Sequence, residues 1–238
     1  MIRSFVRAAV IAAVAVSDVH AQLPSVQQVF DKYADAIGGR AAWEKIQARS
    51  EKGTVDITFA GITGSYERHS AVERMRMVMD LGMGKVDQGF DGTVGWAMQP
   101  MGGAQKMPAE QVAETKESTR MGAAFLDPSR FTKATVEGKE LFEGVECYKV
   151  SVTSKTGQQR VEFFDAATGL RRGVRTTSPA GEQTQTFDEY QAFEGVKVPT
   201  KLRIGTPQGD IAIAITSVTF NKADPTVFEA PAEVKALP

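Results

Sequence analysis

The sequence predicts an α+β protein: a single antiparallel sheet of about ten or eleven strands, curled into an unclosed half-barrel and covered by an N-terminal helix and a mid-chain helix. Three observations carry that reading. From Gly53 onward apolar and polar residues mostly alternate, the period of a strand with one buried face. Short Gly-, Asp- and Pro-containing turns separate the runs, so successive strands are antiparallel neighbours. Helical spacing is confined to two stretches, one ahead of the strands and one between them. Strands twist, so a wide sheet curls, and a curled sheet that does not close leaves a hollow for helices to plug.

Taken in order, Ser25 suits the N-cap of a first helix whose apolar residues Val26, Val29, Phe30, Tyr33, Ala34 and Ile37 share one stripe. Gly38-Gly39 ends it, since glycine accepts the left-handed backbone of a helix C-terminus. A short second helix over 41–46 turns Trp43 and Ile46 inward. Val55, Ile57 and Phe59 then alternate with Thr54, Asp56 and Thr58, and Gly61 to Gly64 turns the chain into a strand from Ser65 to Ala71. The centre of the pattern is Arg74 to Asp80, where Met75, Met77 and Met79 point one way and mostly charged residues the other. Val86 to Phe90 and Val94 to Met98 follow, joined through an Asp91-Gly92 turn, and Met101-Gly102-Gly103 reads as a flexible exit.

Pro108 then suits a helix start, and 109–124 is rich in helix formers with a thin apolar stripe of Val112, Met121 and Phe125. Such a helix is held weakly and is free to act as a lid. Seven further strands are expected, around 135–136 and over 147–152, 159–164, 170–177, 183–190, 200–204 and 211–220, with Val227-Phe228 and Pro231 in an extended tail. Glu137, Glu140, Glu143 and Glu146 recur every three residues, but Gly138 and Gly144 interrupt them, so they read as solvated hairpin charges. Nothing marks a domain boundary. The expected organisation is a signal peptide over 1–21 and one domain over 22–238.

The 238 residues are 42% hydrophobic and 24% charged, a globular composition, and the net charge of −1 supplies no basic field for nucleic acid or anionic membrane. Arg3 and Arg7 flank the apolar run Ala8–Val16, and Val19-His20-Ala21 precedes Gln22 as a cleavage site would. The expected address is therefore outside the cytoplasm, and Gln22 in place of cysteine argues against a bacterial lipid anchor. No later segment approaches the roughly 20 apolar residues of a transmembrane helix.

Chemistry is limited by composition. His20 leaves with the signal peptide, so His69 is the one imidazole of the mature chain, and it sits in a strand of alternating polarity, where an exposed histidine is the simpler reading. Cys147 is the single cysteine, in a strand-like setting that suits a small buried apolar side chain. No spaced ligand set for a metal is present. Gly82-Met83-Gly84-Lys85 lacks the spacing, the hydroxyl after lysine and the helix of a phosphate loop. The sequence predicts a protein that is not an enzyme and needs no cofactor.

What remains is apolar. Met75, Met77, Met79, Phe90, Trp96 and Met98, with Phe59 and Phe163 as outer members, are candidates to line a pocket for a hydrophobic molecule, although core is the commoner role of such residues. A void of ~300 Å³ left unfilled would cost about 7 kcal/mol at ~24 cal/mol per Å³, so a half-open sheet needs helices, water or a guest in its hollow.

Several stretches resemble a bacterial export-targeted family described as outer-membrane lipoprotein-sorting-like, similar to the LolA, LolB and LppX carriers. These are Ala36-Ile37-Gly38-Gly39 with Trp43, Gly89-Phe90-Asp91-Gly92-Thr93-Val94-Gly95-Trp96, Tyr190 with Glu194-Gly195-Val196-Lys197-Val198-Pro199, and Asn221, Asp224 and Phe228. The resemblance spans nearly all the mature chain and implies an unclosed β-barrel whose helices cover an apolar cavity for acyl chains, with no catalytic residues. The expected function is a non-catalytic periplasmic carrier or sensor of a lipid, a lipoprotein acyl chain or another hydrophobic small molecule. The alternative is an accessory subunit of a cell-envelope complex that docks a protein partner on the same face.

Overall fold

In the computed structural model, which describes residues 22–119, 127–178 and 181–237, all strands belong to one antiparallel sheet that is not closed into a barrel. An N-terminal meander runs β1 (Ala48–Ile57), β2 (Ile62–Ala71), β3 (Arg74–Asp80), β4 (Lys85–Phe90), β5 (Gly95–Gln99) and β6 (Gly103–Lys106). A second meander runs β7 (Phe131–Phe142), β8 (Val145–Ser154), β9 (Gln159–Asp165), β10 (Arg171–Ser178), β11 (Gly181–Phe193), β12 (Val196–Thr206) and β13 (Gly209–Phe220). The two join where the first strand pairs with the last, giving the order β6-β5-β4-β3-β2-β1-β13-β12-β11-β10-β9-β8-β7. The half-barrel is thus wider than the sequence pattern indicates, with 13 strands. β6 accounts for part of the excess: Gly103–Lys106 folds back on β5 as an edge strand instead of leaving the sheet.

Helices α1 (Val26–Ala36) and α2 (Arg40–Trp43) lie on one face of this sheet, here called inner. Ser25 caps α1 as expected: its hydroxyl accepts from the Gln28 amide, and the Gln28 side chain accepts from the Ser25 amide, a reciprocal capping box. Val29, Phe30 and Ala34 are buried, and Phe30 packs on Phe164, Val150 and Val152 of the second meander. Gly38, at φ +112°, lies where a Cβ would come within 2.7 Å of the Gly195 carbonyl, so only glycine fits. Trp43 donates its indole N–H to the Ile37 carbonyl and packs edge-on to Phe220. Around these helices Val55, Tyr66, Val196, Val198, Ile213, Ile215 and Val218 complete the main core.

The tail is not extended as the sequence suggested. Residues Pro225–Phe228 form a 3₁₀ turn and Ala232–Lys235 a short helix, α4, and both dock on the outer face of the first meander. There Trp96, fully buried, packs under Ala230 and Val234 and donates its N–H to Asp87 at 3.1 Å. Arg76 holds the same carboxylate bidentately and also donates to the Val227 carbonyl, which ties tail to sheet. A buried carboxylate with this many donors is satisfied, so removing either partner would leave a buried charge uncompensated.

The mid-chain helix α3 (Ala109–Ser118) starts after Pro108, and the rest of its expected length, with Met121 and Phe125, lies outside the described residues, as does the expected signal peptide over 1–21. Among the described residues no helix is long and apolar enough to cross a membrane.

Candidate functional site

The residues proposed as one lining are divided by the sheet. In β2–β4 the register pairs Met75 with Ser70 and Phe90, Met77 with Arg68 and Gln88, and Met79 with Tyr66 and Val86. Tyr66 belongs to the core beneath the helices, so Met75, Met77, Met79 and Phe90 are on the inner face, with Met77 and Met79 packed against that core. Gly95, not Trp96, pairs with Phe90, and Trp96 pairs with Gly89. Trp96 and Met98 therefore face outward, beneath α4. Phe163 is also on the outer face, stacked on Phe142 with centroids 4.2 Å apart beside buried Cys147. Phe59 is not on a strand: Thr58–Ala60 forms a 3₁₀ turn that leaves it half exposed at the sheet's end, over Gly209. Four of the eight thus share the inner face.

Four isoleucines that the sequence reading left unassigned join them. Ile62 pairs with Ile57, Ile57 with Ile211 and Ile211 with Ile204, so one apolar row crosses β2, β1, β13 and β12. All four are half-buried, and Ile57, Ile204 and Ile211 continue the core cluster along its inner face.

Further toward the start of β1 the inner face changes character. A hollow of about 400 Å³ is lined by Arg68 from β2, Arg160 from β9, Arg171 from β10, Gln185 from β11, Arg130 from the turn before β7, and Glu114 and Glu117 from α3. β2 and β9 are six strands apart in the sheet order, roughly 29 Å in a flat sheet at ~4.8 Å per step. Their meeting across one hollow requires the sheet to curl tightly around it, with α3 contributing to its wall. A groove of similar volume, about 430 Å³, lies on the outer surface of β7–β10, among Lys133, Glu137 and Arg175.

The charges in the hollow are paired unequally. Glu162, fully buried, accepts from Arg160 at 2.6 Å and from Arg171 at 2.7 Å, and the Arg171 guanidinium lies 4.4 Å from the Phe187 ring centre. Arg130 donates to Glu117 at 3.0 Å. Glu51, the cross-strand partner of Arg68, lies 3.3 Å from Arg49 instead. Arg68 has the Tyr66 hydroxyl beside it, its Nε is buried without a hydrogen-bond partner, and no carboxylate lies within ion-pair distance among the described residues. Burial pushes the Glu114 carboxyl above its usual range, opposed by the Arg160 charge and reinforced by Glu110.

Other reactive groups have structural surroundings. His69 is not exposed as expected: Ser50 Oγ lies 2.8 Å from its Nδ1, Glu67 3.0 Å from its Nε2, and Phe228 packs against the ring. Burial raises the Cys147 thiol to about 11, so it stays protonated at neutral pH. Among the described residues no group of three or more His, Cys, Asp or Glu is placed to hold a metal ion.

No protein-family model matches the sequence, and no curated protein does either. Solved structures do. A DUF1329 family protein from Desulfovibrio piger superposes with a TM-score of 0.58 at 14% identity, covering 86% of this chain and 97% of that one. A LolA superfamily protein from Nitrosomonas europaea gives 0.56 at 13% identity, over 87% and 99%. A putative outer membrane lipoprotein-sorting protein domain from Vibrio parahaemolyticus gives 0.55 at 10%, over 85% and 95%. Identities this low speak to architecture alone. With its unclosed antiparallel sheet and helices on the inner face, the chain has a LolA-like fold.

Proposed function

We propose that this protein is an exported periplasmic carrier or sensor that holds a hydrophobic molecule, a lipid or the acyl chain of a lipoprotein, on the inner face of its half-barrel without covalent chemistry. The observation that carries the reading is an apolar inner row left half-buried in a sheet that does not close. The proposed lining is Met75, Met77, Met79 and Phe90 with Ile57, Ile62, Ile204 and Ile211. Thioethers adapt to guests of varied shape, which suits a carrier. The N-terminal sequence supports export, and the carriers that share this fold support the ligand class.

Native mass spectrometry of protein isolated from its own periplasm tests the proposal. A copurified lipid, lost in Ile57→Glu, is the expected result. Repeated isolation of lipid-free protein that also ignores apolar dyes would sink it.

One feature favours a second reading, the docking of an envelope protein. Strand β7 is 12 residues long and, among the described residues, pairs only with β8, so its other edge offers backbone groups to a partner strand. Lysines and glutamates along β7 and two register shifts against β8 make that edge a poor template, which places this reading second. A stoichiometric protein captured from envelope extracts with no lipid present would reverse the order.

A further inference from the structure

The hollow beside the apolar row is lined by four guanidiniums, Arg68, Arg130, Arg160 and Arg171, against two carboxylates, Glu114 and Glu117. Like charges enclosed together repel, and their desolvation is offset only by counter-charges in good geometry. Glu162 lies beneath Arg160 and Arg171 and accepts from both, and Glu117 is used on Arg130. Arg68 is left with a buried, unpartnered Nε and no ion pair among the described residues. Arg130 Nε is likewise buried without a hydrogen-bond partner. A guanidinium with donors to spare is matched by the oxygens of a phosphate or carboxylate.

The position of the hollow relative to the apolar row adds a second constraint. Arg68 pairs across the strands with Met77 on one side and Glu51 on the other. Ile57 lies six residues beyond Glu51 on β1, about 20 Å along the strand. Cationic and apolar zones therefore occupy successive stretches of one inner face, an arrangement that suits a molecule charged at one end and greasy at the other.

We infer that the hollow receives the anionic headgroup of an amphiphile, phosphate or carboxylate, with Arg68 as its principal donor and Arg160 and Arg171 flanking it, while the chain runs along the inner face. This rests on the carrier reading and narrows its ligand to acidic lipids. Glu114 and Glu117 of α3 line the same hollow, so an anionic headgroup there competes with Glu117 for Arg130.

Binding of three probes to the mature protein tests the inference: hexadecyl phosphate, hexadecanol and inorganic phosphate, measured by calorimetry or displacement of an apolar dye. The expected result is hexadecyl phosphate at least about tenfold tighter than hexadecanol, with inorganic phosphate far weaker than either. Arg68→Gln should remove the preference and leave hexadecanol binding unchanged, and Arg68→Lys should keep part of it. Melting curves of both variants establish that they fold, and if Arg68→Gln does not, the Arg68→Lys comparison and the probe series on the unaltered protein still decide.

Equal binding of hexadecyl phosphate and hexadecanol overturns the headgroup assignment while the carrier reading survives. Inorganic phosphate binding as tightly as hexadecyl phosphate makes the hollow a free-anion site and overturns the amphiphile. Failure of all three probes to bind removes the carrier reading itself.

Discussion

Of the helices on the inner face of the sheet, α1 and α3 are held there by different means. α1 buries Val29, Phe30 and Ala34, closes its N-terminus with a reciprocal cap and packs aromatic rings against Phe164. Along α3 no side chain from Ala109 to Glu117 is buried, Pro108 offers no side-chain cap, and the tethers are ionic: Glu117 to Arg130 and Lys116 to Glu73. Apolar burial at ~25 cal/mol per Å² fixes a helix, whereas an exposed ion pair such as Lys116–Glu73 contributes about 1 kcal/mol or less. α1 is therefore part of the folded core, whereas the described part of α3 buries little apolar surface against it.

The sharpest way to break that contrast is to truncate each helix in turn. Phe30→Ala removes a fully buried ring and should cost about 3–5 kcal/mol, read as a lowered midpoint in urea unfolding. Glu117→Ala leaves the nearly buried Arg130 without its carboxylate and should cost about 1–3 kcal/mol, with the loss appearing as faster amide exchange in α3 before any change in α1. Val112→Ala, at the half-buried contact of α3, should cost at most about 1 kcal/mol in the same urea experiment. A Val112→Ala penalty matching that of Phe30→Ala would mean that α3 belongs to the core after all.

The smallest effect concerns pH. Glu114 has its carboxyl raised by burial, so its contribution to the docking of α3 is fully present below the ordinary value of 4.5 and is lost as pH rises through the raised one. Amide protection factors in α3 should fall over that window in the unaltered protein, relative to Glu114→Gln, in which the group cannot ionise. The groups that face Glu114 are Arg160, which favours its charge, and Glu110, which opposes it. Parallel pH profiles for the two proteins would rule out Glu114 as the cause.

Much of the architecture is written in local pattern. The α1 stripe, the Ser25 cap and the seven strands of the second meander follow from periodicity and turn chemistry, because those signals act between residues close in sequence. Face assignment fails where it depends on register. Across the β4–β5 turn the register pairs even-numbered residues with odd ones, Phe90 with Gly95, so Trp96 falls on the face opposite Phe90 although both are apolar and even-numbered. Alternation within a strand is legible, but its phase against the neighbour is set by the turn. The arginine hollow was beyond reach for a different reason: Arg68 and Arg160 are brought together by curvature accumulated over six strand pairings, which no local pattern encodes.

The seam between β1 and β13 has a consequence for folding. Each meander can assemble from its own neighbouring hairpins, yet Arg49–Ile57 waits for Ile211–Phe220 before its second edge is satisfied. Until its last strand is in place the chain thus keeps one edge of β1 open, an invitation to wrong pairing. A stop codon just ahead of residue 209 would release two half-sheets with nothing to weld them.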